Sequence, residues 1–346
     1  MYRLVPYNET MRSSWESLAL NRGTVFHSLA FREILTESFG YQPAYYAVMD
    51  DANEVRGLLP LVQGRDLTLS KAAVSLPFVN HLDICADSDS VRQFVMEHLP
   101  SVRTVLGLNY LTLRLKDQAL DDPGWQQNRQ HYTFLLPLSD EENEVLSLSS
   151  SANRNHVRKV YKNNWFAASF DRGHLDAFYR VYVRRMKELG SPSPSIRFFR
   201  QFFTSMPDRA HLLTAIAQDT GEVVGGMLLL ASSGDKTLYY PYGAGLVAYN
   251  NRYLNNFLYW EAVRLGIRLG LKTLDLGRSQ AGSGTYRYKE QWGAVPQQLL
   301  YAVYPTRGSG GDLDKNKLHL FIELWKMLPA GLTDRLGPQL IRYLLP

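Results

Sequence analysis

Residues 274–294 read LDLGRSQAGSGTYRYKEQWGA. Leu274 and Leu276 alternate as in a strand, and the alternation breaks at Gly277. Arg278 follows at once, then a loop of small residues with Gly282 and Gly284, then Tyr286, Arg287, Tyr288, Lys289 and Trp292. Glycine lets a backbone turn sharply or approach a ligand closely. Cations and amphipathic rings beside such a turn suit an anionic, polar substrate. A plain strand-loop-helix connection with a basic surface would carry the same residues. On local features alone the two readings stand level.

Upstream of this stretch the chain reads as helix, three strands and helix. Residues 174–189 put Leu175, Phe178, Tyr182, Met186 and Leu189 on one helical face, ended by Gly190 and Pro192. Strands are predicted over 211–218, 223–231 and 236–242, joined by the turns DTGE and SSGD. A helix over 252–270 turns Leu254, Leu258, Ala262, Leu265 and Leu269 inward and leads into LKTLDL. The first half has a similar order. A helix over 24–39 starts at Thr24 and stops at Gly40. Strands at 43–49 and 55–63 flank the turn DDANE, with further candidates at 108–115 and 131–138. The halves share no repeat at the level of sequence. The acidic, serine-rich stretch 139–150 is the expected boundary between them.

A length of 346 residues exceeds one typical core and points to two domains. Hydrophobic residues at 45% and charged residues at 21% match an ordinary globular protein. A single cysteine, Cys85, excludes an internal disulfide framework and a multi-cysteine metal site. The first residues, MYRLVPYNETMRSSW, lack the apolar run of a signal peptide, and no window holds the roughly 18 apolar residues of a spanning helix. A cytoplasmic location is therefore expected. A net charge of +5 favours acidic partners, leaving phosphate-bearing substrates, tRNA and an anionic membrane surface all open.

Five stretches in order carry a resemblance to a family: LPFVN (76–80), RNHVRKVYKN (154–163), MKELGSPSPSIRFF (186–199), YNNRYLNNFLYWEA (249–262) and DLGRSQAGSGTYRYKEQWGA (275–294). Over nearly its whole length the chain resembles FemAB-type transferases, most of all the FemAB-like branch associated with exopolysaccharide and PEP-CTERM/exosortase systems. The last stretch is the most specific of the five. The resemblance implies an α/β (α+β) fold of tandem GNAT-like acyltransferase domains, each a mixed, mostly antiparallel sheet flanked by helices. The expected division is 1–140, then 141–305 with the motif loop, then a helical tail over 306–346 lying on the first lobe or on a membrane surface. The implied activity is transfer of an acyl or aminoacyl group to an amine of a cell-surface polysaccharide or cell-wall precursor. No tightly bound cofactor is expected, only an activated donor, aminoacyl-tRNA or acyl-CoA, as co-substrate. The acceptor would be a phosphate-bearing sugar or a lipid-linked precursor, which leaves contact with the inner face of the membrane open. Two rivals stand beside this reading: an acyl-CoA-dependent GNAT enzyme acting on a small amine, and a silent member that binds a precursor or scaffolds polymer synthesis.

Amide formation from an activated ester needs no protein nucleophile, because the amine attacks directly and catalysis rests on positioning and charge stabilisation. The absence of Ser-His-Asp, Cys-His and HExxH arrangements is consistent with that chemistry. None of the eight histidines stands at metal-ligand spacing to another, so no metal is expected. The chain lacks a Q/R-x-x-G-x-G/A loop, which counts against acyl-CoA.

The resemblance makes Lys289, paired with Tyr288, the expected catalytic residue, the lysine stabilising negative charge. Arg278, just past a strand end, has a planar fork suited to phosphate or carboxylate; an ion pair with Asp275 would explain it equally. Tyr239 and Tyr240 read as ordinary strand tyrosines, whereas Tyr242, before Gly243, is a candidate substrate contact. Asn251 reads as a cap, and Asn255, beyond it, as a further candidate. Arg154, Arg158, Lys162 and, one step round, Lys159 share one helical face, which fits either a solvated helix or a surface for phosphates; no aromatic residues interleave with it as in nucleic-acid modules. Asn80 and Asp83 complete the substrate-binding set, although VNHLD stands where relatives have an asparagine- or aspartate-tyrosine followed by two glycines. In the tail, Leu318, Phe321, Leu324, Trp325 and Leu328 form a stripe, and Leu340, Ile341, Leu344 and Leu345 a second patch. Lys315, Lys317, Lys326, Arg335 and Arg342 lie among them, a pattern shared by core-completing helices and by helices at a membrane surface.

Overall fold

The computed structural model describes residues 1–116, 120, 122–305 and 315–344, with side chains in the last stretch from residue 320. The strands are β1 (Arg3–Pro6), β2 (Gln42–Met49), β3 (Val55–Arg65), β4 (Lys71–Val74), β5 (Cys85–Ala86), β6 (Tyr110–Lys116), β7 (Gln126–Pro137), β8 (Phe166–Ser169), β9 (Ala210–Ala217), β10 (Val223–Ser232), β11 (Thr237–Gly245), β12 (Thr273–Asp275), β13 (Ser279–Gln280) and β14 (Val295–Tyr304). The helices are α1 (Arg12–Arg22), α2 (Leu29–Phe39), α3 (Asp89–Val105), α4 (Glu142–Leu148), α5 (Ser151–Lys162), α6 (Leu175–Leu189), α7 (Ile196–Ser205), α8 (Leu254–Arg268), α9 (Gly284–Glu290), α10 (Lys315–Met327) and α11 (Ala330–Leu340).

All strands join one sheet, in the order β1-β2-β3-β4-β6-β14-β7-β12-β11-β10-β9-β8, with β5 added to β3 and β13 to β7. The sheet is mixed and mostly antiparallel. Among the described residues, two neighbouring pairs run parallel: β4 with β6 and β11 with β12. Each pairing covers three residues. Val74 opposite Thr112 ends the first, and Tyr239 opposite Asp275 ends the second. In both cases the strands then diverge, and a helix (α3 or α8) bridges them. This is a structural repeat that the sequence does not display.

The two halves of the sheet trade a strand. β7 precedes the acidic stretch 139–150 in the chain but pairs with β12 of the second half. β14 comes near the end of the chain but pairs with β6 of the first. β7 and β14 pair with each other at the centre, from Val295–Leu135 to Val303–Gln126. The acidic stretch itself folds into α4, which buries Val145 and sets Glu142 Oε1 to accept from Arg264 Nε at 3.0 Å.

Local chemistry explains most element ends. Thr24 caps only a short 3-10 turn at 25–27, because Ser28 is extended; α2 starts after it and ends at Gly40 in the left-handed region. α6 ends the same way at Gly190. One face of the first half packs Leu59, Leu61, Leu111 and Leu113 against Val91, Val95 and Leu99 of α3. On the opposite face, Phe198, Phe199 and Phe202 of α7 meet Tyr182 and Tyr242 edge-on or tilted, so an aromatic core joins the two halves.

The tail lies mainly on α6. A Cβ on Gly190 would stand 2.5 Å from Ile322 Cγ2, Trp325 is 3% exposed, and Gly337 approaches the backbone of Ser193. Its end reaches the first half, where Tyr41 donates to the Arg342 carbonyl at 2.8 Å. The expected apolar stripe is divided: Trp325 points inward, Phe321 and Leu328 are half-buried and Leu324 is exposed, as are Leu320 and Met327 outside the stripe. The side chains of Lys315, Lys317 and Leu318, and residue Leu345, lie outside the described residues. No described helix is long and apolar enough to cross a membrane.

Candidate active site

The parallel strands β11 and β12 part after Tyr239 and Asp275 because the chain turns at Gly277, whose φ of 78° a side chain would strain. A Cβ there would also stand 3.3 Å from Asn80 Nδ2 and 3.3 Å from the Tyr240 carbonyl. The gap is filled from the first half. Asn80 and His81 enter it and, with Tyr239, Tyr240, Pro241 and Asp275, enclose about 10 Å³, room for about one water.

Asp275 is the centre of this arrangement. It is 2% exposed, and its oxygens accept from Thr133 Oγ1 at 2.6 Å, the Gly277 amide at 2.7 Å and His81 Nε2 at 3.0 Å. Burial works against its charge, but His81 and these hydrogen bonds outweigh it and hold the carboxyl below its usual range. The ion pair considered between Arg278 and Asp275 does not form. Instead, exposed Arg278 donates to the Tyr301 hydroxyl at 3.1 Å.

Lys289 is buried, at 6% exposure, on the short helix α9, which Ser283 caps. Its Nζ donates to the carbonyls of Gly277 at 2.9 Å and Arg278 at 3.1 Å, and lies 5.5 Å from the centre of the Phe134 ring. Burial pushes its ammonium down to about 8; Asp275 opposes that shift and Arg278 adds to it. An ammonium has three donors, so one N–H remains beyond the two carbonyls. Beside it, the Tyr288 ring meets Tyr259 edge-on at 5.4 Å, and its hydroxyl is buried beside Trp292.

The loop 76–80 holds this site from the other side. Leu76 and Phe78 have φ of 58° and 64°, strained values for side chains of their size. Three successive carbonyls fix it: Phe78 accepts from Tyr242 at 3.3 Å, Val79 from Arg114 Nη1 at 2.6 Å and Asn80 from Tyr301 at 2.9 Å.

The structure thus brings Lys289, Arg278 and Asn80 to one turn and adds Asp275 and His81 to them, whereas Tyr288, next to Lys289 on α9, packs on Tyr259. Tyr242 is different. It lies in the aromatic core and supports the loop, whereas Tyr240 lines the gap. The cause is an extra residue in β11 against β10, between the pairs Leu230–Tyr239 and Leu228–Tyr242, which puts Tyr242 on the same face as Tyr239. Asp83 is taken up by backbone: its Oδ1 accepts from the Lys116 amide at 2.8 Å and its carbonyl pairs with His27 Nε2. Asn255 is exposed in the first turn of α8, while its neighbour Asn256 is buried on Asn153. Arg158 and Lys159 are exposed on α5, about 12 Å along the helix from Ser150, whose amide joins the end of α9 at the Gln291 carbonyl. Aromatic partners missing from the sequence pattern of α5 arrive from elsewhere. Lys159 Nζ lies 5.4 Å from the Tyr253 ring and 6.0 Å from Trp165, and His156 stacks on Tyr253 at 4.0 Å. His81 and Arg114 escaped the sequence reading of the site. Among the described residues, no group of three or more His, Cys, Asp or Glu is placed to hold a metal.

Residues 151–290 match the family described as acetyltransferase (GNAT) domain. Three solved structures share the overall fold. FemX matches with a TM-score of 0.66 at 13% identity, over 87% of this chain and 96% of that one. L-PGS from Bacillus licheniformis matches with 0.58 at 12% identity, over 91% and 96%. A tandem GNAT protein from the clavulanic acid biosynthesis pathway matches with 0.56 at 12% identity, over 89% and 100%. No curated protein matches the sequence. The chain is an acyltransferase with the tandem GNAT fold.

Proposed function

We propose that this tandem GNAT acyltransferase transfers an aminoacyl or acyl group to an amine of a phosphate-bearing precursor of a cell-surface polymer. The observation that carries the reading is the buried Lys289 at the Gly277–Arg278 turn, where two parallel strands part. An ammonium fixed in a water-poor site, with one N–H free, can stabilise the oxyanion that forms as an amine attacks an activated carbonyl. Tyr288, the preceding residue of α9, is the partner that the resemblance assigns to it.

Aminoacyl-tRNA is the favoured donor. His81 and Asn80 occupy the gap between β11 and β12, and the segment between β11 and α8 has no glycine-rich loop for a pyrophosphate. The cation-aromatic ledge of Lys159, Tyr253 and Trp165 can stack and neutralise single-stranded RNA. The GNAT match over 151–290 favours acyl-CoA as a second reading. The fold shared with FemX, and the sequence resemblance to FemAB-type enzymes, support a cell-surface acceptor at the inner face of the membrane. Mass spectrometry of the surface polymer from cells with and without the protein tests the reaction. One acyl or aminoacyl increment should be missing without it; an unchanged polymer refutes the proposal. Labelled aminoacyl-tRNA and labelled acyl-CoA then identify the donor.

Exposed Leu324 and Met327, beside Lys326, support membrane contact by the tail. Flotation with anionic vesicles should carry the wild type and leave a Leu324→Glu, Met327→Glu variant at the bottom. Equal flotation of both removes the tail from that role.

A further inference from the structure

Among the described residues, Arg114 is a charge without a counter-charge. It lies on β6, 7% exposed, and of its five donors Nη1 reaches the Val79 carbonyl while Nε has no partner. No described carboxylate pairs with it. The groups that act on it most are Tyr301, Arg278, Tyr41 and Tyr242, and burial lowers its guanidinium to about 10. A neutral amide could hold the Val79 carbonyl, so the loop does not explain a buried cation, which costs several kcal/mol when unpaired.

Its surroundings are further cationic and unsatisfied. The guanidinium carbons of Arg114 and Arg278 lie 5.6 and 5.7 Å from the centre of the Tyr301 ring. His131 stacks on the same ring at 5.5 Å, and its Nδ1 is buried without a partner. Arg114 also occupies a position set by the fold. It stands two residues past Thr112, the last residue of β6 paired with its parallel neighbour β4, as Gly277 stands two past Asp275, the last residue of β12 paired with β11. Ligands gather at such carboxyl ends of parallel strands.

We propose that Arg114 and Arg278, with His131 beside the Tyr301 ring, form a binding site for a phosphoryl group. Two guanidinium groups without a carboxylate call for about two negative charges, which a phosphate or diphosphate supplies and a single carboxylate does not. Exposed Arg278 is the entrance and buried Arg114 the floor. Assigning this phosphate to the acceptor rests on the acyl-transfer reading; the binding itself does not. The first half would then grip the charged end of the acceptor beside the turn at which the second half performs the transfer.

Calorimetric titration with inorganic pyrophosphate at low salt tests the site without any assay of transfer. The wild type should bind, with acetate at least tenfold weaker, and Arg278→Ala should weaken pyrophosphate binding by about tenfold or more. Arg114→Lys keeps the charge but loses the fork, and it should weaken binding similarly while far-ultraviolet circular dichroism stays that of the wild type. Vesicles of phosphatidylcholine with and without phosphatidic acid separate the sources. Arginine-dependent binding to pyrophosphate alone indicates a soluble diphosphate, and arginine-dependent binding to the phosphatidic acid vesicles indicates a lipid headgroup. No binding to either probe, binding unchanged in both variants, or equal affinity for acetate overturns the proposal. Arginine-dependent pyrophosphate binding in a protein that leaves the surface polymer unaltered keeps the site and removes the acyl-transfer reading.

Discussion

Lys289→Met should lower the rate of acyl transfer by roughly a hundredfold to a thousandfold, the range found when one oxyanion donor is removed. Methionine fills the same channel between Phe134 and the Gly277–Arg278 turn, so the protein should remain folded. The folded state also gives a readout that needs no substrate. Burial takes the Lys289 ammonium from 10.5 to about 8. Between those values the unfolded chain holds a proton that the folded chain has released, so stability rises with pH across the interval. Below about pH 8 the full penalty of a buried charge remains. Lys289→Met should therefore be more stable than the wild type at pH 7, with the difference shrinking towards pH 10. Urea midpoints at the two pH values measure this directly. A fully active Lys289→Met enzyme ends the catalytic assignment, and a pH-independent difference in stability shows that the lysine is not titrating in the buried site.

Asp275→Ala should be the most damaging single change to stability, at about 3–5 kcal/mol, the usual consequence of removing one member of a buried charged network. The loss leaves His81, Thr133 and the Gly277 amide without their acceptor, at the point where β12 ends and both halves meet. Asp275→Asn keeps an acceptor for Thr133 and Gly277 and should cost markedly less. Chemical denaturation of the two variants decides the matter: a loss below about 1 kcal/mol for the alanine variant would mean that the network contributes little. Because Gly277 and Arg278 also receive Lys289, the asparagine variant should lose activity beyond what its stability explains.

The second half was largely legible in the sequence. DTGE and SSGD mark turns, the 174–189 stripe has helical spacing, and Gly190 ends it, all within a few residues of the observed bounds. The motif 274–294 also gave Lys289 and Arg278 their place beside the turn. What the sequence could not display was long-range or parity-dependent. Pairing of β14 with β6 joins residues far apart in the chain, and no local pattern encodes it. The choice between Tyr240 and Tyr242 turned on one extra residue at Pro241, which reverses the face of everything after it. Arg114 stands in LNYLTLRL where an alternating strand normally faces solvent; β6 is covered on both faces, so the same position is interior. His81 was visible only as a polar neighbour of Asn80, since its partner Asp275 is 194 residues away.

The traded strands also set the order in which the molecule can be completed. While the chain emerges from the ribosome, β6 exposes a bare edge and β7 lacks one neighbour until residues 295–304 have been made. From the completion of β6 at Lys116 to that of β14 at Tyr304 the first half carries an unpaired strand edge, the kind of surface that invites pairing with other chains. Closing the centre of the sheet requires contacts between residues 126–137 and 295–304, a separation that makes the last step slow relative to the local hairpins. Once closed, neither half can open without stripping a strand from the other, so both halves are expected to melt as one cooperative unit.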